Sequence, residues 1–164
     1  MSRLHWIAIP TRGRLAIMAR PRADDWLAID IDGWKSAGLD LIVSLLEPDE
    51  VSELGLQNEA LLCRERDMAF LSFSIPDRGI PAMDATRHLA GLISREVSGG
   101  RSVAIHCRAG IGRSSVIAAC AMICSGIEAA EALRLIEEAR GIKVPDTEAQ
   151  RDWVIAFGEA LRGS

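Results

Sequence analysis

The chain contains no tyrosine, which excludes control by phosphorylation of its own tyrosines. It has no uninterrupted apolar run of the roughly 18 to 20 residues that a membrane-spanning helix needs. Met1 to Arg20 lacks the apolar stretch of a secretory leader and carries Arg3, Arg12, Arg14 and Arg20. These absences lead to the expectation of a cytoplasmic protein without membrane insertion. Cysteines are few: Cys63, Cys107, Cys120 and Cys124. In a reducing compartment they are expected to be free thiols. There is no pair of CxxC motifs, and His5, His88 and His106 are scattered, which argues against a structural metal site. An excess of basic charge is also missing. The net charge of -4 argues against a nucleic-acid partner held by bulk electrostatics. No Gly/Ser linker, internal repeat or low-complexity block divides the sequence, so residues 1–164 read as one domain. Nothing in the sequence sets an oligomeric state.

What is present is a regular alternation of apolar segments. "GLDLIVSLLE" holds a compact run, Leu39 to Leu46, whose Ile-Val pair predicts a buried strand. "PDEVSELGL" predicts a short helix with Asp49 as N-cap and Gly55 as its stop. Met68 to Ile75 predicts a second strand, closed by a Pro-Asp-Arg-Gly turn. Leu89, Leu92, Ile93 and Val97 fall at helical spacing, and Ser98-Gly99-Gly100 ends that helix. Val103 to His106 predicts a buried strand, and Ser114 to Cys124 an apolar helix of small residues. Glu128 to Arg140 is amphipathic through Ala132, Leu135, Ile136 and Ala139, and Asp146-Thr147 caps a last helix running through Leu161. The first thirty residues read as short strands and turns. Strands alternating with helices imply an α/β domain with a mostly parallel central sheet flanked by helices. Such sheets bind ligands at the carboxyl ends of their strands.

One such end carries "VAIHCRAGIGRSSVIAAC", Val103 to Cys120. Its glycines partly match a dinucleotide fingerprint, but no acidic strand end follows about twenty residues on, and no lysine precedes Ser114 as a P-loop requires. A structural thiol is the plain reading for Cys63, Cys120 and Cys124. For Cys107 that reading does not account for arginine at +1 and +6 with glycine at +3 and +5. A loop of small residues turns several N–H groups inward as an anion nest. The following helix adds its N-terminus, and Arg113 offers a planar fork to two phosphate oxygens. Cys107 then lies beneath an anion cradle, where a thiolate is favoured.

His106-Cys107, five residues, then Arg113-Ser114 resembles the H-C-x5-R-[S/T] loop of cysteine-dependent protein tyrosine and dual-specificity phosphatases. "FSIPDRGIP", Phe73 to Pro81, resembles the general-acid loop of that family, and the thirty residues from Asp77 to Cys107 suit its compact dual-specificity branch. "VPDTEAQRDW" resembles a C-terminal helix start where some relatives carry a glutamine near the site, here Gln150, and "GLDLIVSLLE" resembles an early core strand. The likeness runs from about Arg14 onward and is nearest to small bacterial-type members. It implies a phosphatase that forms a thiophosphate intermediate without cofactor or metal. The implied catalytic residues are Cys107 as nucleophile, Asp77 as general acid, Arg113 on the phosphate and Ser114 toward the sulfur. The implied substrate-binding set is Arg108, Ala109, Gly110, Ile111, Gly112 and Arg113, with His106 and Gln150 in support. Arg78 and Arg108 are either surface charges or contacts to a phosphopeptide. The implied substrates are phosphorylated proteins, phosphotyrosine foremost, or small phosphomonoesters. A lipid, nucleotide or sugar phosphate, or a phosphate-binding module without turnover, stay open at this point.

Overall fold

In the computed structural model, which describes residues 1–163, five strands form one sheet in the order β1-β2-β5-β3-β4. The strands are β1 (His5–Ile7), β2 (Arg14–Met18), β3 (Leu41–Ser44), β4 (Ala69–Ser72) and β5 (Ser102–His106). Only β1 runs antiparallel to its neighbour; β2, β5, β3 and β4 are mutually parallel. The helices are α1 (Asp25–Ser36), α2 (Pro48–Glu53), α3 (Glu59–Glu65), α4 (Met83–Ser98), α5 (Arg113–Cys124), α6 (Ala129–Arg140) and α7 (Glu148–Arg162).

The alternating geometry of a strand divides its side chains between two cores. Leu15, Ile17, Leu41, Val43, Val103 and Ile105 face α4, α5, α6 and α7. Ala16, Met18, Ile42 and Ala104 face the other way, onto Leu27, Ile31 and Trp34 of α1 and onto Cys63 of α3. Both faces are covered, as parallel strands require. Helix α5 is buried on every side from Arg113 to Ile123. Its alanines, serines and cysteines are small enough for the sheet and three other helices to close around it.

The α/β architecture with a mostly parallel sheet is the one expected, but four local features differ. Residues 25–36 form α1, although the first thirty residues were expected to be short strands and turns. Leu27, Asp30, Ile31 and Trp34 make one helical stripe, and the acid in that stripe masks it in a reading by hydrophobicity. Asp30 is fully buried because Arg22 gives it both a backbone N–H, at 2.8 Å, and a guanidinium hydrogen, at 2.6 Å. The N-cap of α2 is Glu47, not Asp49. Pro48 takes the first helical position, and Glu47 and Glu50 form a reciprocal capping box. Helix α3 had no counterpart in the sequence reading. β3 and β4 are shorter than Leu39–Leu46 and Met68–Ile75: the Leu39 N–H bonds back to Trp34 O of α1, and past Ser44 and Ser72 the chain keeps only isolated bonds, Leu45 to His106, Phe73 to Ser44 and Ile75 to Leu45. The last helix starts as expected: Thr147 Oγ1 accepts from the Gln150 N–H.

Candidate active site

β5 lies at the centre of the sheet, between β2 and β3. It ends at His106, and residues 107–112 then curl over its carboxyl end to the first turn of α5. The outer side of this loop is held by its carbonyls. The Arg20 N–H donates to Arg108 O at 3.2 Å, and the Arg140 guanidinium donates to Ala109 O at 3.3 Å and Gly110 O at 3.1 Å. A trans peptide places N–H opposite C=O. Fixing these three carbonyls therefore directs the N–H groups of Ala109, Gly110 and Ile111 to the opposite, inner side. Gly110 has φ +71°, and a Cβ there would lie 2.5 Å from the carbonyl carbon of Met18. Glycine is required twice over at this position, by conformation and by contact. A Cβ on Gly112 would lie 2.6 Å from Asp146 Oδ2. Ile111 packs its side chain against the larger core.

Cys107 is 3% exposed, and its Sγ lies 3.3 Å from Ser114 Oγ in the first turn of α5. Arg113 is at least as buried. Its guanidinium donates to both oxygens of Glu50, at 2.6 and 3.0 Å, and to Ile75 O at 2.9 Å. Its Nη2 also stands 3.2 Å from Asp77 Oδ1. Cys107, Arg108, Ala109, Gly112 and Arg113 line one cleft of about 200 Å³ together with Asp77, Arg78 and Asp146. Two sequence segments thirty residues apart, each selected on its own pattern, thus meet in a single cleft. Gly110 and Ile111 lie in the same loop, and Arg108 is drawn to Glu53 at 3.2 Å.

Glu50 escaped the sequence reading. The Arg113 guanidinium hydrogen-bonded to it holds its carboxyl below the usual carboxylate range; the Glu47 N–H adds to this, while burial opposes it. Removing one partner of such a buried pair leaves a desolvated charge behind. The available signal was an acid three residues into a helix that opens on Glu47-Pro48. Glu59 was missed too. Its Oε2 sits 2.7 Å from His106 Nε2, with both residues essentially inaccessible, while His106 Nδ1 is 3.2 Å from Cys107 O. Trp34 lies beside the imidazole, with ring centroids 6.3 Å apart. The signal for Glu59 was an acid four residues before Cys63, on the apolar face of its helix.

Gln150 is fully buried. Its Oε1 accepts from the Thr147 N–H, and its Nε2 donates to Gly79 O at 3.1 Å, joining α7 to the loop that carries Asp77. The three remaining cysteines are away from the cleft. Burial, aided by Glu59, pushes the Cys63 thiol up to about 12, and burial raises Cys120 and Cys124 as well. All four cysteines are free.

A thiol in a glycine loop at the end of a central parallel strand, with an arginine starting the next helix and an acid across the cleft, defines the class of cysteine-based protein tyrosine and dual-specificity phosphatases. A family model described as "Polymorphic toxin system, DSP-PTPase phosphatase" matches residues 17–127, and the chain belongs to that family. Cyclin-dependent kinase inhibitor 3 of Rattus norvegicus is 24% identical over 134 residues, covering 80% of this chain and 63% of that protein. The chain therefore spans under two thirds of the length of that relative. Among solved structures, kinase associated phosphatase (KAP) with its catalytic cysteine replaced by serine has a TM-score of 0.87 at 19% identity, covering 99% of this chain and 97% of that one. Tk-PTP in its active form has a TM-score of 0.75 at 26% identity, covering 90% and 92%. No helix among the described residues is long and apolar enough to cross a membrane.

Proposed function

We propose that this protein hydrolyses phosphate monoesters through a cysteinyl-phosphate intermediate and without a metal ion. Its substrates are phosphorylated proteins, phosphotyrosine foremost, with phosphoserine and phosphothreonine also accepted. The observation that supports this most is the meeting of Cys107, Arg113 and Asp77 in one cleft, with Arg113 only 3.2 Å from Asp77. The substrate phosphate is held by the loop N–H groups and by Arg113, whose orientation Glu50 sets. The cation and amides match the charge spread over the three non-bridging oxygens in the transition state.

In the first step the Cys107 thiolate attacks phosphorus in line with the ester oxygen. The S–P bond forms, the P–O bond breaks, and protonated Asp77 delivers its proton to the departing oxygen. In the second step water attacks phosphorus from the side just vacated. Asp77, now a carboxylate, takes the water proton as the P–S bond breaks. Ser114, 3.3 Å from the sulfur, donates a hydrogen bond that stabilises the leaving thiolate. His106 and its Glu59 partner position the Cys107 backbone. Gln150 acts on the acid loop through Gly79, a positioning role. The reading places the protein in the cytoplasm.

The test is turnover of p-nitrophenyl phosphate in the presence of a chelator, with a quench to trap phosphate bound to protein. The expected result is steady turnover and one covalent phosphate on Cys107, both abolished in Cys107→Ser. Full activity in Cys107→Ser, or loss of activity with chelator alone, refutes the proposal.

A further inference from the structure

The sequence pairs Asp146 with Thr147 as a helix cap, but Thr147 alone does the capping of α7. The Asp146 carboxylate is left over. It is exposed, it lines the cleft beside Cys107 and Arg113, and its Oδ2 lies 2.6 Å from where a Cβ on Gly112 would stand. It has no hydrogen-bond or ion-pair partner among the described residues. The positive end of α7 makes this placement tolerable. An unneutralised carboxylate at the lip of an anion-binding cleft is nonetheless opposed to the purpose of the cleft, unless it discriminates between anions.

We infer that Asp146 is a specificity-determining residue, which disfavours phosphomonoesters bearing a second anionic group next to the scissile phosphate. This rests on the phosphatase reading and narrows its substrates to esters whose neighbouring groups are neutral or cationic. It sets polyphosphorylated headgroups and nucleoside polyphosphates aside in favour of phosphorylated side chains in uncharged or basic surroundings. Two cations of the cleft already have carboxylate partners of their own. Arg113 is engaged by Glu50 and Asp77, and Arg108 is paired with Glu53. Arg78 is the cation that could compete, since it lines the same cleft from the Asp77 loop. The effect of Asp146 is electrostatic and through space. At a separation of several ångströms in partly hydrated surroundings, one unit charge changes the rate or affinity by about threefold to tenfold.

The experiment compares phenyl phosphate with 3-carboxyphenyl phosphate, in the wild type and in Asp146→Asn, at low and high salt. The same pair is titrated calorimetrically onto Cys107→Ser with and without Asp146→Asn. Asp146→Asn is expected to raise kcat/KM and affinity for the carboxylated ester about threefold to tenfold more than for phenyl phosphate, and 0.5 M salt should shrink the difference. Equal effects on both esters overturn the inference. So does a wild type that prefers the carboxylated ester and loses that preference in Arg78→Gln. If neither ester is turned over, the phosphatase reading fails, and the two affinities still decide the role of Asp146.

Discussion

Replacing Glu50 by glutamine keeps the shape of the side chain and removes its charge. Two hydrogen bonds of 2.6 and 3.0 Å run from Arg113 to this carboxylate inside the protein. Glutamine can accept only one of them, and its NH2 group then faces the guanidinium. Truncating a buried ion pair outright costs about 3–5 kcal/mol. Here Arg113 keeps Ile75 O and Asp77 as partners, so about 1.5–3 kcal/mol of stability is expected to go, the range for a hydrogen bond to a charged group. The loosened guanidinium should also lower kcat/KM by about 10- to 100-fold, because misplacement by about an ångström has that effect. The pH dependence follows from the lowered carboxyl of Glu50. A depressed folded value means that its stabilisation is present above the ordinary value of 4.5 and is lost as the pH falls through the folded value. Urea unfolding of the wild type and Glu50→Gln should therefore differ most near neutrality, with the gap closing below about 4.5. If the two proteins share one urea midpoint at pH 7 and one kcat/KM, Glu50 does not set Arg113 and the reasoning is wrong.

Three other substitutions probe the site and the core behind it. Asp77→Asn keeps an acceptor for Arg113 but has no proton to give. Its kcat on phenyl phosphate should fall by about 10²- to 10⁴-fold, and by clearly less on p-nitrophenyl phosphate with its better leaving group; equal falls would remove Asp77 from acid duty. Gly110→Ala forces a Cβ onto the Met18 backbone at a φ of +71°, so denaturant titration should show a loss of about 1–3 kcal/mol or more, and an unchanged midpoint would contradict the loop geometry. Cys63→Ala should lose about 1 kcal/mol from a buried contact and keep its activity. In the native protein at pH 8, mass spectrometry after iodoacetamide should find Cys63 and Cys120 unmodified, because burial holds both as neutral thiols; rapid labelling of either would refute that.

The parts of this fold that were legible in the sequence are those that follow one periodicity without interruption. β3, β5, α4, α6 and α7 are apolar runs or stripes with ordinary stops, and their assignments needed no knowledge of the rest of the chain. Helix α1 was not legible, because Asp30 breaks its stripe and is balanced by Arg22 only after the chain has folded back. The same distinction divides the site. Cys107, Arg113 and Asp77 belong to local patterns that chemistry alone makes conspicuous. Glu50 and Glu59 are ordinary acids on short helices, and they acquire meaning only from Arg113 and His106, 63 and 47 residues away. Gln150 was singled out without a partner: its amide reaches Gly79 of the loop that carries Asp77. Pairs such as Glu50 with Arg113 and Glu59 with His106 join distant segments, so no short window along the sequence contains both halves.

Arg140 and the Arg20 N–H fix the outer carbonyls of the loop 107–112 before any ligand arrives. On the proposed mechanism, little chain entropy is then left to lose when a tetrahedral oxyanion enters, whether or not it carries an organic group. The ester and the released phosphate meet the same ready-made donors. Free phosphate should thus act as a competitive inhibitor, and so should tungstate and vanadate. The rate inside a cell would then follow the ratio of phosphoester to inorganic phosphate as closely as the amount of enzyme.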